Sequence, residues 1–87
     1  MQHISYKTSG TCSQLIDLTG RDGRIESVVF FGGCHGNLQG ISRLVEGMTY
    51  DEAIRRLNGI RCGNKPTSCP DQLCRAIEQL RRQPDSE

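Results

Sequence analysis

Tryptophan is absent from this 87-residue chain, and aromatic residues of any kind are scarce: two tyrosines and two phenylalanines, 5% in all. With hydrophobic residues at only 34%, the core that can be built is thin. Domains of this size commonly add a metal or disulfides to hold together. Charge of one sign is missing too, since eleven Lys and Arg face ten Asp and Glu. That near-balance excludes the broad positive field on which non-specific nucleic-acid or anionic-membrane binding rests. The basic pairs Arg55/Arg56 and Arg81/Arg82 read as solvated helix faces. No stretch approaches the roughly 20 apolar residues of a membrane span. The opening MQHISYKTSG lacks both the basic and the apolar region of a secretion signal, so the expected location is cytoplasmic. No C-x-x-C pair occurs anywhere, which removes the usual zinc-finger and ferredoxin spacings.

Against these absences stand five cysteines. In a reducing compartment such residues favour metal binding or catalysis over disulfides, and their odd number argues against a fully paired framework. Cys74 falls inside an amphipathic helical pattern and reads as a small core residue. The other four, Cys12, Cys34, Cys62 and Cys69, sit among Gly, Pro, Ser and Thr. Such neighbours let a backbone curl around an ion and aim N–H groups at sulfur. These four are the candidate metal ligands, for zinc or an iron–sulfur cluster. Cys34 and Cys69 fall at predicted helix N-termini, where unpaired N–H groups and the helix dipole stabilise a thiolate. His35 reads as a loop histidine and His3 as an ordinary strand residue. Asp71 reads as a charge partner of its helix N-terminus, with a hydrogen bond or ligand role at the metal as the alternative, and Lys65 as a solvated loop residue. No paired carboxylates or other acid–base set appears, so no catalytic residue is assigned.

The periodicity predicts strands at His3–Thr8, Gln14–Leu18 and Arg24–Phe31, the last two joined through a turn at Thr19–Gly23 containing Asp-Gly. A first helix is expected from Leu38, with Ile41, Leu44 and Val45 at helical spacing and Gly47 closing it. Thr49 caps a second helix as a capping box with Glu52, burying Ala53, Ile54 and Leu57 before Asn58–Gly59. Ile60–Gly63 reads as a short extended piece. A third helix begins near Pro70, capped by Thr67, Ser68 or Cys69, with Leu73, Ile77 and Leu80 as its buried stripe. Strands first and helices after imply an α+β domain: a three-stranded antiparallel sheet with the helices packed on one face. One domain over residues 1–83 and a frayed tail at 84–87 are expected.

The string Thr67–Ser68–Cys69–Pro70–Asp71 resembles the TSCPD domain family, which takes its name from that pentapeptide. GGCHGN at 32–37, GISRLVEGM at 40–48 and GIRCGNKPTSCPDQL at 59–73 are similar to its short stand-alone members. The same domain ends some cobalamin-dependent ribonucleotide reductases. The resemblance therefore implies an accessory module docking on a reductase or another redox enzyme. It does not imply ribonucleotide reduction by this chain alone, which has no room for the reductase barrel. More distantly, the element order is similar to iron–sulfur scaffold proteins of the IscU/NifU N-terminal type. That likeness would make Cys12, Cys34 and Cys69 the ligand thiols of a labile cluster, or acceptors in a sulfur relay. Two departures weigh toward zinc: Gln14 stands where the scaffolds carry aspartate, and Ser68 where they usually carry histidine. Cys62 would supply the fourth thiolate of a closed site.

Overall fold

The computed structural model describes residues 1–10, 13–32, 35–61, 63 and 67–83. Strands β1 (Gln2–Lys7), β2 (Ser13–Arg21) and β3 (Arg24–Gly32) precede helices α1 (His35–Val45), α2 (Tyr50–Leu57) and α3 (Cys69–Arg81). The strands form one antiparallel sheet in the order β1-β2-β3. The architecture is the α+β arrangement that the sequence pattern implies. Helix α3 packs beneath β1 and β2, α1 lies against β3, and α2 packs on α3.

The β2–β3 hairpin is tighter than the sequence suggested. Its turn is Asp22–Gly23 alone, with φ of 55° and 77°, the two positive values that a two-residue type I′ turn demands. Thr19, Gly20 and Arg21 were expected in the turn but continue β2 instead, opposite Ser27, Ile25 and Arg24. Glu26 is left over between those partners. Strict alternation from Val28 would turn Ile25 outward, and the extra residue of this bulge brings it back. Both side chains are buried, Ile25 at 1% exposure and Val28 at 5%.

Helix α1 begins three residues before Leu38, because its first turn carries no apolar residue to signal it. Leu44, expected on the buried stripe, is 74% exposed. The face that meets β3 runs through Leu38, Ser42 and Val45, so Leu44 points away from the sheet. Gly47 closes the helix at φ +87°. The segment after it then pairs with the start of β3: Gly47 N–H donates to Ile25 O, and Ile25 N–H to Met48 O, both at 2.8 Å. In α2, the Thr49 hydroxyl accepts from Glu52 N–H at 3.1 Å, as a cap should. The Glu52 carboxylate does not reach back to complete the capping box. It pairs with Arg55 and Arg56 on the solvent side.

Helix α3 carries the core. Leu73, Ile77 and Leu80 are fully buried against Ile16 and Leu18 of β2, each worth about 1.5–3 kcal/mol of apolar transfer. At the far end of this helix the chain's early and late residues are fastened together. The Gln2 amide donates to Leu80 O at 3.0 Å and to Gln83 O at 2.6 Å. Gln2 Oε1 accepts from the Tyr50 hydroxyl at 2.8 Å. That ring lies directly over Gly20, where an added Cβ would come within 1.8 Å of the hydroxyl oxygen and 2.7 Å of Cζ. Gly20→Ala is therefore expected to overpack this junction and destabilise the fold by about 1–3 kcal/mol, read as a lowered midpoint in urea unfolding. An unchanged midpoint would mean the ring has room to move.

Candidate functional site

The N-terminus of α3 is built by the pentapeptide, and four of its five residues have a visible structural role. Ser68 is the N-cap: its hydroxyl accepts from Asp71 N–H at 3.2 Å and donates to Ile60 O at 2.6 Å. Cys69 is the first helical residue and is buried. Pro70 follows in the first turn, where its missing N–H leaves no hydrogen bond unmade. Asp71 stands in the first turn of α3, as expected of a charge partner for that helix N-terminus, and it is buried, only 5% exposed. Its two carboxylate oxygens are divided between the two ends of one loop. Oδ1 accepts from Gly59 N–H at 2.9 Å, and Oδ2 from the Thr67 hydroxyl at 2.5 Å. Arg75 Nε stands 3.7 Å from Oδ2 on the solvent side. The Thr67 hydroxyl above all, then Gly59 N–H and Arg75, hold the Asp71 carboxyl below the usual range against the opposing effect of burial.

Gln72 extends the network to the β1–β2 connection. Its amide nitrogen donates to Thr67 Oγ1 at 3.1 Å, and its Oε1 accepts from Ser9 N–H at 3.2 Å. Beside it, Gly10 has φ +73° and lies so close to Thr67 that a Cβ would stand 3.1 Å from the threonine methyl. A side chain there would be strained by the positive φ and would crowd the threonine methyl. Among the described residues, no buried side-chain nitrogen or oxygen lacks a partner. Sequence reasoning missed Gln72, although a signal existed. Positions 69, 72, 73, 76, 77 and 80 form one helical stripe, and Gln72 is its lone amide among Cys, Leu, Ala and Ile. A polar residue at a core-facing helical position asks for a buried partner.

Of the four candidate ligands, Cys69 is described and stands at the first position of α3; Cys12, Cys34 and Cys62 lie outside the described residues. Lys65, Pro84–Glu87 and the His35 side chain also lie outside them. No group of three or more His, Cys, Asp and Glu able to hold a metal occurs among the described residues. Immediate neighbours of the cysteines are described. Ser13, next to Cys12, pairs with Gly32, two residues before Cys34. Ile60, two residues before Cys62, is bound to Ser68, next to Cys69. Gly10, two residues before Cys12, lies beside Thr67, two residues before Cys69: a Cβ there would stand 3.1 Å from the threonine methyl.

Cys74 is core, as expected. It is 2% exposed, with Sγ 3.8 Å from Ile54 O. Burial, aided by Asp71 and Glu78, pushes its thiol up to about 12. His3 pairs across the outer face of the sheet with Asp17. A cleft of about 360 Å³ opens between β3 and α1, beside Gly32 and lined by Val28, Phe30, Leu38, Ser42 and Arg43.

The family of the chain follows from the whole of its length. Residues 2–81 match the TSCPD domain, and the chain belongs to that family. No curated protein and no solved structure matches it. No comparison shows the likeness to IscU/NifU-type scaffolds. No helix among the described residues is long and apolar enough to cross a membrane.

Two consequences of this geometry are measurable. Ser68→Ala removes both a helix cap and the hydroxyl bond to Ile60 O, and is expected to cost about 1–2 kcal/mol in chemical unfolding. A change below a few tenths would mean that neither bond contributes. Cys74, with its thiol near 12, carries a thiolate at pH 8 in only about one molecule in ten thousand. Iodoacetamide should therefore modify it only after denaturation, as mapped by peptide mass spectrometry.

Proposed function

We propose that this chain is a metal-binding accessory domain, which holds zinc through Cys12, Cys34, Cys62 and Cys69 and docks on a partner protein. The observation that carries the reading is the convergence of the described neighbours of these cysteines. Ser13 with Gly32, Gly10 with Thr67, and Ile60 with Ser68 link all four cysteine-bearing segments at one end of the molecule. Each cysteine is at most two residues from one of those contacts, and a residue spans ~3.8 Å of chain. The reading takes these four cysteines as the ligands of one ion.

The donor set fits zinc. Four thiolates form the closed tetrahedral site typical of structural zinc, with no position open for substrate. The positive end of the α3 dipole offsets part of the negative charge that such a set accumulates. When bound, zinc would supply a cross-link between four chain segments. A thin aromatic-poor core gives such a cross-link a stabilising part to play. The partner reading draws on the family's occurrence at the end of some ribonucleotide reductases. It draws also on Val29 and Phe31, which stand about half exposed on the outer face of β3 near Gly32.

Protein purified without oxygen is expected to carry about one zinc per chain and no visible absorption band. Cys12→Ser and Cys62→Ser should both lose that zinc, whereas Cys74→Ala should retain it. Iron with acid-labile sulfide and a broad visible band would replace zinc by a cluster, and then Cys62→Ser should be tolerated. Neither metal would remove the reading.

A further inference from the structure

The two edges of the sheet are treated differently. The β1 edge carries the exposed Lys7 and is tied to the end of α3 through Gln2. Charge and cover of this kind keep an edge strand from pairing with another chain. The other edge is β3. Its start is closed by the segment after α1, which bonds both the N–H and the C=O of Ile25. Past the Glu26 bulge this cover stops. Backbone groups of an antiparallel strand point alternately toward its partner and away from it. Ile25 stands opposite Gly20, and its groups point away from β2. Val28 and Phe30 stand opposite Leu18 and Ile16, in the same alternation along β2. Their N–H and C=O groups therefore also point off the sheet, and among the described residues they meet no partner. The cleft of about 360 Å³ runs along this edge. Val29 lines it from the outer face and Val28 and Phe30 from the inner, while Gln39, Arg43 and Glu46 of α1 form its far wall. On the outer face, Val29 and Phe31 are 47% and 48% exposed.

We propose that this edge pairs with the same edge of a second copy of the chain, joining two three-stranded sheets into one of six strands. The pairing rests on the docking half of the reading above, naming the partner that covers Val29 and Phe31, and it is independent of the zinc half. The strand is complementary to itself. With a two-fold axis through Val29, Val28 of each copy exchanges both backbone hydrogen bonds with Phe30 of the other. Val29 then faces Val29 across the axis with Phe31 on the diagonal, which merges apolar surface that one copy alone leaves in water. The cleft wall matches itself in the same way. Arg43 and Glu46 are exposed and have no ion-pair partner among the described residues, and the two-fold offers each its opposite charge. A second copy supplies all these matches by symmetry, and the pair is closed, with each β3 edge used once.

The test starts with sedimentation equilibrium of the purified chain from micromolar to millimolar concentration, where a reversible dimer is expected. Val29→Lys introduces the charge that blunts natural edges, and should raise the dissociation constant by about tenfold or more, since like charges then oppose on the axis. Register is read by Val29→Cys and Phe31→Cys, two equally exposed positions, under a mild disulfide oxidant with peptide mass spectrometry. The Val29 position should cross-link to its own copy, because non-hydrogen-bonded partners stand ~4.5 Å apart at Cα, within disulfide reach. The Phe31 position should not, its two copies lying about four residue spacings, or ~14 Å, apart. Amide hydrogen exchange needs no variant and decides if one fails to fold: Val28 and Phe30 N–H should be protected in the dimer and exposed on dilution. A chain that stays monomeric, a dimer indifferent to Val29→Lys, or cross-linking at Phe31 as fast as at Val29 would each overturn the inference. Zinc content is measured on the same preparation. A monomer that retains zinc removes the second copy and leaves the zinc reading, whereas a dimer without zinc does the opposite.

Discussion

The Asp71 carboxylate is the constraint on which this end of the molecule depends. One oxygen holds the residue that leaves α2, and the other holds the residue that enters α3. Asp71 thereby ties Gly59 to Thr67, and the Ser68 hydroxyl ties Ile60 to the same helix start. A carboxylate is suited to this because it offers acceptors only, with lone pairs enough for two donors from different directions. An asparagine in the same place can reproduce the bonds but not the charge. A leucine would fill the volume and leave a buried N–H and a buried hydroxyl unmet. Burial and polarity coexist at Asp71 because its oxygens meet donors: Gly59 N–H, the Thr67 hydroxyl and Arg75.

The two ends of α3 therefore do different kinds of work. Toward its C-terminus the helix buries Leu73, Ile77 and Leu80 against β2 and supplies the non-directional part of the stability. At its N-terminus order comes also from hydrogen bonds, whose geometry is directional. A site that must present side chains from several segments needs the second kind. Hydrophobic contact alone tolerates small displacements, while a saturated polar network does not. The surface ion pairs, such as Arg81 with Asp51, are exposed on at least one side and add little to either.

Much of this was legible beforehand, and the exceptions have physical causes. The third helix, its stripe and its cap could be read because local chemistry and tertiary packing agree there. Thr49 was legible as a cap for the same reason. The Glu26 bulge was not, because period-two reasoning assumes an unbroken ladder, and only the partner strand reveals the extra residue. Leu44 looked buried because helical spacing cannot tell which side of a stripe its neighbours will leave open. Asp71 was legible as a first-turn charge of α3, but its hydrogen-bond partners were not. Its partners lie twelve residues away at Gly59 and four at Thr67, and the first is invisible to local spacing. Of the candidate ligands, Cys69 stands at the helix start where the pattern put it. Cys12, Cys34 and Cys62 are reached only through their neighbours.

The fastening of Gln2 to the carbonyls of Leu80 and Gln83 has a consequence for how such a domain can travel between proteins. Residues near the two ends of the described chain lie side by side, so the polypeptide enters and leaves the fold at almost the same point. A unit with adjacent ends can be spliced into a surface loop, or appended to a host, without prising the host's own structure apart. It asks of its surroundings only a short gap, whose closure entropy grows slowly with length. The glutamine that stitches the termini together thus makes the fold portable as a whole.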